Sequence, residues 1–148
     1  MLKIIMKKAA LILFAILLTT GVSAQIYIPY KIYAGENHET YIGKWASPYD
    51  PESIWNKYSK YGSKYNSNSI WNKYGPYGSK YNAYSPWNAY STKPPVLVDD
   101  NNRVVGYLTC GYKASKEIRE VLKYVLEHFD EVADDPTAFY KENKEKMR

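Results

Sequence analysis

The residues of this sequence that are best suited to bind a ligand are aromatic residues and lysines that recur at a fixed spacing. The rings repeat every 16 residues: Trp55, Trp71, Trp87, Tyr58, Tyr74 and Tyr90. Lysines accompany them at Lys57, Lys64, Lys73 and Lys80. Flat aromatic faces can stack on sugar rings or other flat apolar surfaces, while amines supply hydrogen bonds and positive charge. The set is therefore a candidate ligand-binding platform.

Two interpretations of these rings are open at the level of sequence. In the first, they form the core of a stack, since each buried Tyr or Trp removes about 150–250 Å² of surface from water. In the second, some of them face outwards and bind an extracellular glycan or envelope polymer. Exported Tyr/Trp repeats that bind cell-wall polymers use such platforms, but the units here do not match their pattern, so that comparison is an analogy.

Familiar catalytic and metal-binding motifs are missing from the sequence. His38 and His128 form no metal-ligand spacing, and Cys110 is the single cysteine. There is no nucleophile elbow, dinucleotide-binding glycine motif or P-loop, and the Asp and Asn residues at 99–102 lack the pattern of a calcium loop. We therefore expect a non-catalytic protein without cofactor or metal. The alternative is an extracytoplasmic, hydrolase-like enzyme whose site these motifs do not reveal.

The first 24 residues have the composition of a secretory signal peptide. Lys3, Lys7 and Lys8 precede an uncharged apolar run at 9–18, and a small-x-small cleavage motif ends at Ala24. The apolar run is shorter than the roughly 20 residues that a membrane-spanning helix needs. The sequence thus predicts a secreted or periplasmic protein, with no stable membrane span after cleavage.

The charge balance gives little support to a nucleic-acid partner. Three of the 20 Lys and Arg lie in the predicted signal peptide, which leaves 17 against 15 Asp and Glu, a net charge of +2. The stretch 53–90 nevertheless holds five lysines and no acidic residue. A local cationic, aromatic surface and a plain solvated lysine face both fit this asymmetry.

A 16-residue repeat organises the middle of the chain. Residues 49–64 (YDPESIWNKYSKYGSK) and 65–80 (YNSNSIWNKYGPYGSK) share 11 of 16 positions, and a shorter copy follows at 81–90. Turn-forming residues interrupt any helical spacing, which predicts compact turn-rich units whose rings pack on those of the next unit. Gly62 and Gly78 are expected to supply positive φ, and asparagines such as Asn72 to cap turns.

The flanking segments predict an α+β fold. Upstream, Tyr33, Lys44 and Trp45 are in register with the repeat and suggest a degenerate first copy. Downstream, two β-rich runs around 99–102 predict a hairpin, followed by a helix that begins after Ser115 and a second helix capped by Asp135. We expect a signal peptide at 1–24, an N-terminal segment at 25–48, the aromatic repeat at 49–93 and the hairpin with C-terminal helices at 94–148.

The lone Cys110 predicts the absence of an internal disulfide. A buried, inert thiol is the default expectation for such a residue. The alternative is a Cys110-linked dimer, because an unpaired cysteine in an oxidising compartment can bond to a second chain.

Four motifs carry a resemblance to a known family. They are SIWNKYGPYGSKY at 69–81, SPWN at 85–88, PPVLVD at 94–99 and GYLT at 106–109. Through them, residues 41–109 resemble a family of short exported bacterial proteins that has no assigned activity. The resemblance implies export and a repeat followed by a hairpin, and it implies no catalytic residues. Cysteines that some members carry correspond to Lys44, Ser47 and Trp55 here, so a metal or redox role is not implied.

Overall fold

Two hairpins form one four-stranded sheet in the computed structural model, which describes residues 29–147. The strands are β1 (Tyr30–Ala34), β2 (Thr40–Trp45), β3 (Val96–Val98) and β4 (Val104–Tyr107). They pair antiparallel in the order β2-β1-β3-β4. Together with C-terminal helices this confirms the predicted α+β class. The predicted signal peptide, 1–24, lies outside the described residues.

The first hairpin was not anticipated from the sequence. Ile32 and Ala34 in β1 and Ile42 in β2 are buried, so apolar residues alternate along one face of the pair. Tyr33 lies in β1, and Lys44 and Trp45 lie in β2. The segment that suggested a degenerate repeat copy therefore forms strands instead of turns, because its alternating apolar residues meet the core of the sheet.

The second hairpin lies where the sequence predicted it. Asp99 closes its turn by accepting hydrogen bonds at Oδ1 from the amides of Asn101 and Arg103, each at 2.9 Å. Asn102 adopts a φ of 58°, a left-handed conformation that asparagine tolerates better than most residues. The turn composition of 99–102 thus has a direct structural role.

The repeat folds as a succession of tight turns at three-residue intervals. The amide of Asn56 donates to the carbonyl of Ser53 at 3.2 Å, and the amide of Ser59 donates to the carbonyl of Asn56 at 2.9 Å. Side chains reinforce the turns, as where the amide of Trp55 donates to Ser53 Oγ at 3.0 Å. Five such steps and one additional residue account for the 16-residue period between Ser47 and Ser63.

The glycines of the repeat are required for a different reason from the one expected. Within 29–147 the glycines with positive φ are Gly35 and Gly43, so the prediction for Gly62 and Gly78 was wrong. A Cβ on Gly62 would lie 1.8 Å from the carbonyl oxygen of Asn56, and a Cβ on Gly78 would lie 2.0 Å from that of Asn72. These positions need glycine because two backbone segments approach closely.

Three buried tryptophans from successive repeat units, which we call the tryptophan column, pack on one another with tilted rings. Ring centroids are 5.3 Å apart for Trp55 and Trp71 and 5.5 Å apart for Trp71 and Trp87. Each of the three side chains is at most 2% exposed. The prediction that the rings of one unit pack on the same rings of the next is confirmed for the tryptophans.

Four helices follow the sheet: α1 (Lys116–Glu127), α2 (Phe129–Asp134), α3 (Pro136–Glu142) and α4 (Lys144–Met147). Ser115 and Asp135 cap α1 and α3 as predicted, by accepting from the amides of Ile118 and Ala138. Phe129 packs on Trp71 and Trp87, and Tyr140 packs on Trp55. The helices therefore cover one side of the tryptophan column. No helix within 29–147 is long and apolar enough to cross a membrane.

Non-repeat segments close the repeat at both ends. Strand β2 forms two backbone hydrogen bonds with the first unit. The amide of Lys44 donates to the carbonyl of Glu52 at 3.0 Å, and the carbonyl of Lys44 accepts from the amide of Ile54. At the other end, the amide of Cys110 donates to the carbonyl of Pro86 at 3.0 Å. The repeat is thus built into a single core with the sheet.

Candidate ligand-binding surface

Six tyrosines of the repeat project into solvent in two rows. The first tyrosine row is Tyr49, Tyr65 and Tyr81; the second tyrosine row is Tyr58, Tyr74 and Tyr90. All six are between 80% and 91% exposed. Members of a row are 16 residues apart, so each repeat unit contributes one ring to each row. This regular exposure of large aromatic side chains makes the rows a candidate interaction surface.

The turn geometry fixes where these tyrosines leave the backbone. Each one stands two residues after a Ser or Asn whose side chain accepts its amide hydrogen. In the first row the acceptor is a serine Oγ at 3.2–3.3 Å, and in the second row it is an asparagine Oδ1 at 3.0–3.1 Å. The backbone beneath every ring is therefore held by a local side-chain bond that needs no contact from the ring itself.

The tryptophans of the sequence-predicted platform are not available to a ligand. Trp55, Trp71 and Trp87 are buried, and the indole N–H groups of the last two donate to backbone carbonyls inside the repeat. Their turns have the composition Ser-Ile-Trp or Ser-Pro-Trp, with an apolar residue that is buried beside the indole. Of the two interpretations open at the level of sequence, the buried core therefore holds for the tryptophans, and the alternative that places Trp55, Trp71 and Trp87 in an exposed platform was wrong, because these apolar pairs form the core.

The lysines of the predicted platform lie against the tyrosine rings. The Nζ atoms of Lys57, Lys64, Lys73 and Lys80 are 5.2–5.5 Å from the ring centroids of the tyrosines that follow them. Lys141 of α3 makes the same contact with Tyr49, at 5.1 Å. Such cation–π contacts are worth about 0.5–1 kcal/mol at exposed sites. They favour particular orientations of otherwise free rings.

Acidic residues of the helices neutralise much of the lysine charge. Lys57 pairs with Asp135 at 2.9 Å, Lys64 pairs with Asp134, and Lys73 lies 3.6 Å from Asp130. The hydrogen bond from Lys57 contributes to holding the pKa of Asp135 below its usual range, after the larger effect of the amide of Ala138. The cationic stretch seen in the sequence is therefore partly neutralised, because the fold brings distant carboxylates to Lys57, Lys64 and Lys73.

The first tyrosine row was missed at the sequence level. Its signal was present, since Tyr49, Tyr65 and Tyr81 occupy the same position of all three copies. The three-residue spacing of Ser and Asn, which sets the turns, was a second signal for the position of these tyrosines. The Asn72-Lys73-Tyr74 triplet turns its aromatic ring outwards and the Ser69-Ile70-Trp71 triplet turns its ring inwards, whereas Tyr61, which also follows a lysine, is partly buried against the core.

A surface cleft of about 490 Å³ lies at the end of the second tyrosine row, where Tyr90 forms part of its wall. Ala89, residues 110–112 and one face of α1 form the remainder of the lining. Cys110 is 3% exposed, and burial raises the pKa of its thiol. This environment favours an inert thiol over a disulfide with a second chain.

The geometry gives no indication of a metal centre among residues 29–147, where no group of three or more His, Cys, Asp and Glu side chains could hold an ion. His38 Nε2 lies 2.9 Å from the carbonyl of Pro94, and His128 Nδ1 lies 2.8 Å from that of Tyr124. Both imidazoles thus serve local structure.

Comparison with known proteins provides no relative from which a function could be transferred. No protein-family model, curated protein or solved structure matches the chain. What the surface can do therefore follows from its chemistry, which is that of repeated, exposed phenol rings on a rigid backbone. Such rings can stack on flat apolar faces and hydrogen-bond through their hydroxyl groups.

Proposed function

We propose that this protein is an exported, non-catalytic binding protein of the cell envelope or extracellular space whose tyrosine rows bind a glycan. The observation that carries the proposal is the exposure of six tyrosines at equivalent positions of successive units. Export rests on the signal-peptide pattern of residues 1–24. The apolar faces of sugar rings are a natural partner for phenol rings that are flat, solvent-exposed and able to hydrogen-bond at one edge.

The repetition of the rings favours a polymer over a single sugar. Each unit presents one ring per row, so a glycan chain could contact several equivalent rings at once. Weak contacts of this kind gain strength when they are linked, because every contact after the first is intramolecular. Near-identical units that follow one another in the fold produce such a multivalent surface by repeating one binding element.

The ion pairs of the repeat lysines favour a neutral polymer as the partner of these rows. Lys57 and Lys73, which lie over rings of the second tyrosine row, are matched by carboxylates of the helices, as is Lys64 in the first row, whereas Lys80 beside Tyr81 has no ion pair within residues 29–147. The second row therefore carries little free positive charge. Stacking on neutral sugar faces, instead of attraction to an anionic chain, is then the main source of affinity. Binding to the rows should depend only weakly on salt concentration, since screening acts chiefly on exposed unpaired charges.

Sedimentation with insoluble polysaccharides and purified peptidoglycan tests the proposal. The wild-type protein is compared with a Tyr58→Ala/Tyr74→Ala variant and with a matched Tyr58→Phe/Tyr74→Phe variant that keeps both rings. Loss of two stacking contacts should weaken binding about tenfold or more in the alanine variant, while the phenylalanine variant stays close to wild type. Failure of every polymer to retain the wild-type protein, or equal retention of the alanine variant, would refute the proposal.

A further inference from the structure

One face of helix α1 supplies cations to the cleft at the end of the second tyrosine row. Lys116, Arg119 and Lys123 are three and four residues apart, which places them on the same side of the helix, and all three line the cleft. Glu120 is the acidic residue among the lining positions. The charged lining therefore carries three positive groups and one negative group.

These cations differ from the lysines of the repeat in their pairing. Lys116 lies 3.9 Å from Glu120, a long contact between two exposed side chains of adjacent helical turns. Arg119 and Lys123 have no ion pair within residues 29–147, in contrast to Lys57 and its close partner Asp135. The positive charge of the cleft is thus available to a ligand.

Two exposed tyrosines add flat surfaces to this charge. Tyr90 and Tyr112 both line the cleft. Tyr90 follows Ala89 where other members of its row follow a lysine, and no cation lies over its ring in the described part of the chain. The row therefore ends in a ring whose nearby positive groups come from α1 and remain free to bind an anion.

We propose that this cleft binds the anionic group of an acidic sugar, a carboxylate or a phosphate, while Tyr90 and Tyr112 contact the sugar ring. The guanidinium of Arg119 offers paired donors that suit either oxyanion, and Lys123 adds a second charge. The carbohydrate part of this assignment rests on the proposed function, because Tyr90 continues the second tyrosine row into the cleft. The anion-binding part rests on the cleft alone.

Titration calorimetry with the full-length protein tests the assignment. Trigalacturonate is compared with its methyl ester, which has the same rings without charge, and glucose 6-phosphate is compared with glucose to separate phosphate from carboxylate recognition. An Arg119→Gln/Lys123→Gln variant should bind the preferred anionic sugar about tenfold more weakly, as expected for the loss of two partly exposed charge pairs. An Arg103→Gln/Lys144→Gln variant, which removes one guanidinium and one amine from exposed positions outside the cleft, is the matched control and should bind it as wild type does.

The outcomes separate this inference from the proposed function. Equal affinity for charged and neutral sugars, or an unchanged affinity of the Arg119→Gln/Lys123→Gln variant, would overturn the cleft assignment and leave polymer binding by the tyrosine rows intact. Displacement of the sugar by a single-stranded oligonucleotide at lower concentration would overturn the carbohydrate assignment. Selective binding of an anionic sugar by a protein that sediments with no polysaccharide would support the cleft and contradict the rows.

Discussion

The indole N–H of Trp71 donates a 2.6 Å hydrogen bond to the carbonyl oxygen of Ile54, 17 residues earlier in the chain. Trp87 makes the same bond to Ile70 at 2.7 Å. Each unit is therefore joined to its predecessor by both a contact between tilted indole rings and a buried hydrogen bond. The first unit has no predecessor, and accordingly Trp55 Nε1 is buried without a hydrogen-bond partner within residues 29–147.

Removal of the central tryptophan should destabilise the fold more than removal of the terminal one. Trp71 packs on Trp55, Trp87 and Phe129, whereas Trp87 packs on Trp71 and Phe129. We expect Trp71→Ala to cost about 3–5 kcal/mol of unfolding free energy, with a smaller loss for Trp87→Ala. Urea unfolding followed by circular dichroism measures both values.

The control for this pair is Tyr74→Ala, which removes an exposed ring from the same repeat unit and should change stability by no more than about 0.5 kcal/mol. Comparable small losses for Trp71→Ala and Tyr74→Ala would show that the tryptophan column is not the core of the repeat.

Addition of a single methyl group at the repeat glycines should be strongly destabilising. A Cβ at Gly62 or Gly78 would overlap a backbone carbonyl oxygen, at 1.8 Å and 2.0 Å respectively, and backbone cannot rotate away as a side chain can. We expect Gly62→Ala and Gly78→Ala each to cost about 3 kcal/mol, the upper end of overpacking effects. Thermal melts provide the measurement.

Gly106→Ala is the matched control for these two variants, because the nearest atom to its added Cβ is Ile118 Cδ1 at 3.7 Å, an ordinary contact distance. A melting temperature for Gly62→Ala as high as that for Gly106→Ala would contradict the close backbone approach.

The side chain of each turn-capping asparagine makes two hydrogen bonds, and different substitutions can remove one or both of them. Asn72 Oδ1 accepts from the amide of Tyr74 at 3.1 Å, and its Nδ2 donates to the carbonyl of Asn66 at 3.2 Å. Serine can keep the first bond but not the second, and alanine can keep neither. With about 1 kcal/mol for each bond, Asn72→Ser should cost about 1 kcal/mol and Asn72→Ala about 2 kcal/mol. Chemical unfolding that ranks the two variants equally would show that only one bond matters.

The fold should lose stability in acid in part through Asp135. Its carboxylate accepts from the amide of Ala138 and pairs with Lys57, and both interactions lower the pKa of Asp135 in the folded state. A carboxyl with a lowered folded pKa stabilises the protein fully above its unfolded pKa of about 4, and this contribution is lost as the pH falls through the folded pKa.

The test of the Asp135 prediction is an Asp135→Asn variant, which keeps a helix-capping side chain but cannot titrate. As the pH is lowered from 5 to the lowest value at which both proteins are still folded, its melting temperature should fall less steeply than that of the wild-type protein. Parallel curves for the two proteins would assign the acid sensitivity to other carboxyl groups.

Local sequence signals predicted much of the framework. Ser115 and Asp135 are helix caps because their side chains accept amide hydrogens, and the 99–102 turn is set by asparagine and aspartate, so each could be located without knowledge of the rest of the fold. The stacking of the tryptophans was also expected, since identical rings at a fixed period pack on one another. These features depend on residues close together in sequence or on exact repetition.

The features that escaped prediction depend on distant contacts. Strand β1 pairs with β3, more than 60 residues away, and this pairing helps to make the 30–45 segment a hairpin. The sequence left the charge of the repeat surface open, because Asp130, Asp134 and Asp135 approach the lysines only in the folded chain. Which aromatic rings face outwards likewise depends on the helices, which cover the tryptophans and leave the tyrosines uncovered.

The most direct test of the central claim, that the tryptophans are inside and the tyrosine rows are outside, is nitration by tetranitromethane followed by peptide mass spectrometry. The six tyrosines of the two rows should react first. Tyr61 and Tyr77, which are partly buried against the core, should react more slowly, and the buried Tyr140 should react last. Nitration of Tyr61, Tyr77 and Tyr140 at the same rate as the rows would contradict the arrangement described here.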